Sequence, residues 1–228
     1  MNFKCYLFDF DNCLLEIPDT FTHFNKILHD TLAEFKLGKM PSEEQRKQFW
    51  FSNENYIDLL SSWGIEDENK FWDVFDLMDF ERRKILLNES NLTLYKDVFP
   101  VLKTLRKEGK KLAIISNTAE NSVRYILKKL NVDNYFHEIF GLGKDKTQDM
   151  AKPSPYGIFK VLKKLNCPNN NTKTIFIGDS SADILAAKRA NIKSCLIIRD
   201  YNEFHKGYLN WEFQPDYIVK SLKEVLDL

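Results

Sequence analysis

Short apolar runs of strand length alternate along this chain with longer segments whose apolar residues recur at helical spacing. The runs at 3–8 (FKCYLF), 111–115 (KLAII), 174–177 (TIFI) and 194–198 (SCLII) are rich in β-branched and aromatic residues, and three of them end near Asp, Asn or Gly. Helical spacing predicts helices over 98–108, 121–130, 155–165 and 182–190. Near-continuous apolar strands separated by helices predict an α/β fold, a parallel sheet with helices on both faces. In such a sheet a ligand sits outside the carboxyl ends of the strands.

One region breaks this rhythm. Residues 16–91 contain no convincing strand but three helical stretches, 20–35, 42–63 and 66–87, separated by turn signals at 38–41 and Gly64. They carry many aromatic residues, among them Phe24, Phe49, Trp50, Phe51, Phe71, Trp72 and Phe75, which we read as the core of a small helical bundle. The chain therefore divides into an α/β core at 1–15 and 92–228 and an inserted all-helical domain at 16–91.

Composition narrows the class of activity. The chain has 228 residues, and its 33 Lys and Arg balance its 33 Asp and Glu, so no strongly charged surface invites nucleic acid or an anionic membrane. Nowhere do 18 apolar residues run together, and 1–7 is too short for a secretory signal, so a cytoplasmic location is expected. Cys5, Cys13, Cys167 and Cys195 form no C-x-x-C pair and are expected to be free thiols. Phosphate loops of the G-x-x-x-x-G-K-[ST] type and G-x-G-x-x-G turns are absent, which disfavours nucleotide-driven kinases and dinucleotide enzymes.

Four short elements carry candidate chemistry. The first strand ends in Asp9-Phe10-Asp11-Asn12, where alternation places both carboxylates on one side. Two such groups repel and favour a cation between them, although a bare D-x-D also occurs as a solvated turn. The second element, Ser116-Asn117-Thr118, follows a buried run and precedes a helix, a setting that suits a phosphate or an ordinary N-cap. In the third, Ser154 can cap a helix that starts at Pro155, leaving Lys152 just upstream to meet an anion. The fourth, Gly178-Asp179-Ser180-Ser181-Ala182-Asp183, puts one carboxylate at a strand end and another in the first helical turn, where the helix dipole alone would favour it. Gly178 permits close approach by a ligand or neighbouring backbone. Together these groups suit a hard divalent cation beside a phosphate.

The order DFDNC, ISN, KPSP and GDSSAD resembles the four motifs of the haloacid dehalogenase superfamily, in its phosphatase branch with a helical cap after the first strand, and is most similar to the phosphoglycolate phosphatase-like group. The resemblance implies a Rossmann-like core and a phosphatase acting on a small phosphorylated metabolite, phosphoglycolate-like or a sugar phosphate. It implies that Asp9 is the nucleophile and Asp11 the general acid and base. Asp9, the backbone carbonyl of Asp11, Asp179 and Asp183 would hold Mg²⁺. Ser116, Asn117 and Lys152 would bind the phosphoryl group, with Lys152 also offsetting charge at the nucleophile. Asn12-Cys13 depart from the family's usual Gly-Thr or Gly-Val, and Asn191 stands where glycine is common; Asn tolerates left-handed backbone, and Cys13 is expected to pack. The cap should select the substrate, with Glu16, Thr20 and His23 as candidates, while His29, His137 and His205 have no ligand spacing. A phosphomutase using the same intermediate is the alternative, followed by a phospho-accepting signalling module and a catalytically dead binding protein. A monomer and a homodimer are both compatible.

Overall fold

A computed structural model describes residues 3–51, 56–143, 146–167, 173–199 and 205–228. In chain order the strands and helices are β1 (Cys5–Phe8), β2 (Leu15–Glu16), α1 (Thr20–Glu34), α2 (Glu43–Phe51), α3 (Tyr56–Ser62), α4 (Glu68–Asn88), β3 (Thr93–Leu94), α5 (Val98–Lys107), β4 (Lys111–Ala119), α6 (Glu120–Lys129), β5 (Glu138–Leu142), α7 (Tyr156–Leu165), β6 (Thr174–Gly178), α8 (Ser181–Arg189), β7 (Lys193–Ile197) and β8 (Tyr217–Val219). Six strands form one sheet in the order β5-β4-β1-β6-β7-β8, every neighbouring pair parallel.

Side-chain alternation divides the core between the two faces. Tyr6 and Phe8 of β1, Leu112 and Ile114 of β4, and Ile175 and Ile177 of β6 pack with α5 and α6 through Val101, Leu105, Val123 and Ile126. The intervening Leu7, Ala113, Ile115 and Phe176 pack with α7 and α8 through Ile158, Val161, Ala186 and Ala187. A slip of one residue in any of these strands would turn its buried set to the wrong face, so register is tightly specified. From β1 the chain order runs to β4 and β5 on one side and to β6, β7 and β8 on the other. That reversal makes the carboxyl end of β1 the topological switch point where such sheets bind ligands.

The inserted helices have a core of their own, built from Ile27, Leu28, Leu32, Phe49, Leu60, Phe71 and Phe75, as the aromatic pattern predicts. Residues 52–55 of the predicted stretch 42–63 lie outside the described residues. A short antiparallel pairing of β2 with β3, which the sequence reading did not anticipate at Glu16, joins the two chain crossings into this segment.

Cys5 and Cys167 correct the expectation of four free thiols: they form a disulfide across 162 residues, with Cα atoms 6.3 Å apart. The parallel crossover returns the end of α7 to the start of β1, a proximity that sequence spacing does not show. Cys13 and Cys195 are free and buried. A surface cavity of about 430 Å³ lined by Lys4, Cys5, Lys111 and Cys167 lies at this amino end of the strands, opposite the carboxylates described next. No helix among the described residues is long and apolar enough to cross a membrane.

Candidate active site

Asp9 continues the ladder of β1, its N–H donating to Ile177 O at 2.8 Å, so its side chain is fixed where β1 and β6 end. Beyond it the chain doubles back: Leu14 and Leu15 N–H both donate to Phe10 O, and Asn12 adopts left-handed backbone at φ 54°. Phe10 is buried in the core while Asp9 and Asp11 lie on the opposite side of the strand end. Asn191 is left-handed too, at φ 53°, and Cys13 is fully buried with Sγ 3.5 Å from Ile177 O, so these departures from the family pattern are accommodated as expected.

Asp9, Asp179 and Asp183 are all buried and bring carboxylate oxygens within 4.8 Å of one another. Lys152, 9% exposed, donates from Nζ to Asp9 Oδ1 and, at 2.6 Å, to Asp183 Oδ1. Burial, then repulsion from Asp183, raises the proton affinity of Asp9 against the opposing pull of Lys152; burial and the charges of Asp9 and Asp183 raise that of Asp179. Although burial opposes its charge, the carboxylates of Asp183 and Asp9 keep Lys152 firmly protonated. One ammonium against three carboxylates leaves a dehydrated excess of negative charge, which suits a divalent cation with oxygen ligands.

Asp183 is the most constrained of the three. Its Oδ2 accepts from Asp179 N–H at 3.1 Å, Ser180 N–H at 3.0 Å and Ser180 Oγ at 2.6 Å. The role of Gly178 follows from this: a Cβ there would lie 2.3 Å from Asp183 Cγ, so what approaches it is a side chain, not the ligand or backbone expected.

The other motif residues are placed as follows. Ser116 is buried within β4, its Oγ accepting from Thr118 N–H at 3.1 Å. Asn117 grips the backbone of Lys152 from both sides, Nδ2 donating to its carbonyl at 3.1 Å and Oδ1 accepting from its N–H at 2.8 Å. The amide therefore locks the lysine loop to β4, and its backbone N–H is what it can offer a phosphate. Neither Asn117 nor Thr118 is an N-cap, because β4 runs to Ala119 before α6 begins. Likewise α7 starts at Tyr156, one residue later than expected, with Ser154 Oγ at a long 3.4 Å from Tyr156 N.

Asp11 stands apart from the acidic cluster. Its Oδ1 and Oδ2 accept from Arg83 Nη1 and Nη2 at 2.7 and 2.8 Å, and Oδ2 also accepts from Thr118 Oγ1 at 2.6 Å. Burial works against its charge, but Arg83, then Thr118, hold its carboxyl below the usual range. Arg83 Nε donates to both oxygens of Asp79 at 2.7 Å. Sequence reasoning missed Arg83 and Asp79, and it read Thr118 as a phosphate-side or N-cap residue where its hydroxyl instead donates to Asp11. The available signal lay in α4, where the four-residue stripe Phe71, Phe75, Asp79, Arg83 is buried throughout, so an ion pair continues an aromatic core line.

Of the three candidates in the inserted segment, Glu16 sits in the β2–β3 pairing. Thr20 Oγ1 is 3.1 Å from both Asn12 Oδ1 and Ile17 O, bracing the turn after β1. His23 is 3% exposed and lies 3.9 Å from Asp79 Oδ1, too far for a hydrogen bond.

Fold and site together define an α/β protein of the enzyme type, with a buried acidic centre at the switch point of its sheet. Residues 6–197 match the family of haloacid dehalogenase-like hydrolases, and the chain belongs to that family. A phosphoglycolate phosphatase of Colwellia psychrerythraea is 32% identical, the match covering 96% of this chain and 94% of that one. Another, of Pseudomonas fluorescens, is 25% identical over 98% of this chain and 78% of its own length. The structure of CbbY from Rhodobacter sphaeroides in complex with phosphate shares the fold at 20% identity, with a TM-score of 0.74, 99% of this chain and 100% of that one being covered. The protein is a phosphoric monoester hydrolase of the haloacid dehalogenase superfamily, similar to phosphoglycolate phosphatases.

Proposed function

We propose that this enzyme hydrolyses a small phosphorylated metabolite with Mg²⁺, through an aspartyl-phosphate on Asp9, and that residues 16–91 form a cap domain over the cleft. The observation that carries this reading is the buried group of Asp9, Asp179 and Asp183 around Lys152 where the strands end. Asp9, Asp179 and the backbone carbonyl of Asp11 would hold Mg²⁺, with Asp183 assisting. Bound there, the ion neutralises the carboxylates and draws charge from the phosphoryl oxygens.

Asp9 attacks phosphorus, and the bond to the leaving oxygen breaks as the new one forms. Lys152, held by Asp183 and by the Asn117 grip on its backbone, fixes the Asp9 carboxylate and faces the phosphoryl group with a permanent positive charge. The Ser116 hydroxyl and the backbone N–H groups at the end of β4 donate to the phosphoryl oxygens. Asp11 gives the leaving oxygen its proton, then removes one from the water that cleaves the aspartyl-phosphate.

Release of phosphate from p-nitrophenyl phosphate tests the reading. Activity is expected to vanish in EDTA and return with Mg²⁺. At one hundred times its Kd, Mg²⁺ should stabilise the fold by about 2.7 kcal/mol, readable as a raised Tm. Full activity in EDTA together with an unchanged Tm on adding Mg²⁺ would contradict it. Stoichiometric free phosphate, rather than an isomerised sugar phosphate, separates hydrolysis from mutase chemistry.

A further inference from the structure

Two cysteines that no step of phosphoryl transfer uses meet at the amino end of the sheet. Cys5 opens β1 and is 1% exposed, whereas Cys167 follows α7 and is half-buried against the α7–α8 side of the core. The bond between them borders the cavity of about 430 Å³, which Lys4, Glu108, Lys110 and Lys111 also line. Strand pairing sets Cys5 beside Lys111, and Lys111 N–H donates to Lys4 O at 2.9 Å, so both lysines are neighbours of Cys5 in the sheet. Lys110 is committed elsewhere: its Nζ donates to Phe3 O at 3.0 Å and lies 3.8 Å from Glu108 Oε2. Lys4 and Lys111 are exposed and form no ion pair among the described residues, so they carry the surplus positive charge of the cavity.

A cavity that presents a disulfide among cations suits one class of reagent. Thiol–disulfide exchange begins with attack by a thiolate, an anion, and its rate depends on access and on how well the departing sulfur bears negative charge. Lysine charges favour that sulfur anion both on entry and on departure. A small thiol that also carries carboxylates gains a further attraction, which a neutral thiol lacks. In a thiol-rich compartment an accessible disulfide does not stay permanently closed.

We propose that this cavity is a modification site for a small acidic thiol, which exchanges with the Cys5–Cys167 disulfide and becomes attached to Cys167. The thiolate attacks Cys167 Sγ, on the more exposed partner. As the new S–S bond forms the old one breaks, and its electron pair leaves on Cys5 Sγ, which takes a proton from water. A second thiolate then attacks the sulfur of the first, releasing the reagent's own disulfide and leaving Cys167 as a thiol. Exchange opens a link across 162 residues that joins the strand leading to Asp9 with the helix that follows Lys152. Stability falls, while the acidic centre at the other end of the strands keeps its groups.

The test incubates the native, oxidised protein with reduced glutathione, quenches with acid at early times and maps the peptides by mass spectrometry. A glutathione adduct on Cys167, with Cys5 as a free thiol, is expected. Complete exchange should lower Tm by roughly 5–15 °C, as when a link closing a long loop is lost. Lys4→Gln combined with Lys111→Gln should slow the reaction with glutathione by roughly tenfold and that with neutral 2-mercaptoethanol by less than about twofold. Both side chains are exposed, so this variant keeps the fold. Both cysteines found as free thiols before any reagent is added, a disulfide that the native protein keeps in excess glutathione, or an adduct on Cys5 overturns the proposal. So does a lysine variant that slows both thiols alike or neither. The phosphatase reading stands under each of these outcomes, because p-nitrophenyl phosphate tests it separately.

Discussion

Asp9→Asn is expected to lower phosphatase activity by roughly 10⁴–10⁶-fold, the scale on which loss of a covalent nucleophile is felt, while the protein stays folded. An amide of almost the same shape fills the space of the carboxylate but is a poor nucleophile. Stability should not suffer, because the carboxylate it replaces is crowded by Asp179 and Asp183 and dehydrated by burial. Steady-state phosphate release and a thermal melt on the same preparation check both halves. A variant that keeps more than a few per cent of the activity, or loses it only by unfolding, would speak against Asp9 as the attacking group.

Lys152→Met carries the second large effect. The lysine is the shared partner of Asp9 and Asp183, and Met fills its volume without its charge. Removing one partner of a buried pair leaves an uncompensated charge and typically costs about 3–5 kcal/mol; turnover should fall by roughly 10²–10³-fold, as when a charge-stabilising donor is lost. The loss should depend on pH. Burial and mutual repulsion raise the proton affinities of Asp9 and Asp179 in the native state, so these two groups bind more protons in the metal-free fold than in the unfolded chain, and their contribution to stability falls as pH rises above about 4 toward neutrality. Without Lys152 that fall should steepen, and Mg²⁺ should recover part of it. Chemical denaturation of wild type and variant at pH 5 and pH 8, with and without Mg²⁺, measures this. Equal stability of the two proteins at pH 8 would mean that the lysine does not neutralise the cluster.

The sheet was legible because its central strands are buried on both faces and therefore read as apolar runs. β5 and β8, EIFGL and YIV, were not: they are the two edge strands of the sheet, and β8 has only three residues. Asp9, Ser116, Asp179 and Asp183 stood out because each follows an apolar run of strand length, and Lys152 because of the Pro153-Ser154-Pro155 frame beside it. Arg83 gave no such sign. An arginine four residues after an aspartate in a helix reads as a solvent-facing pair, and only its position on the Phe71–Phe75 stripe says otherwise. Its partner Asp11 lies 72 residues away, a distance that only the packing of α4 over the end of β1 closes. The Cys5–Cys167 link was hidden for a related reason, since it follows from where a crossover helix ends.

Covalent transfer through Asp9 makes two in-line displacements at phosphorus, each of which inverts it. Transfer of the phosphoryl group from an ester made chiral with the three oxygen isotopes to an acceptor alcohol that takes the place of water, followed by stereochemical assignment of the new ester, reads their number directly. We expect net retention of configuration; net inversion would show a single direct displacement by the acceptor and contradict the account.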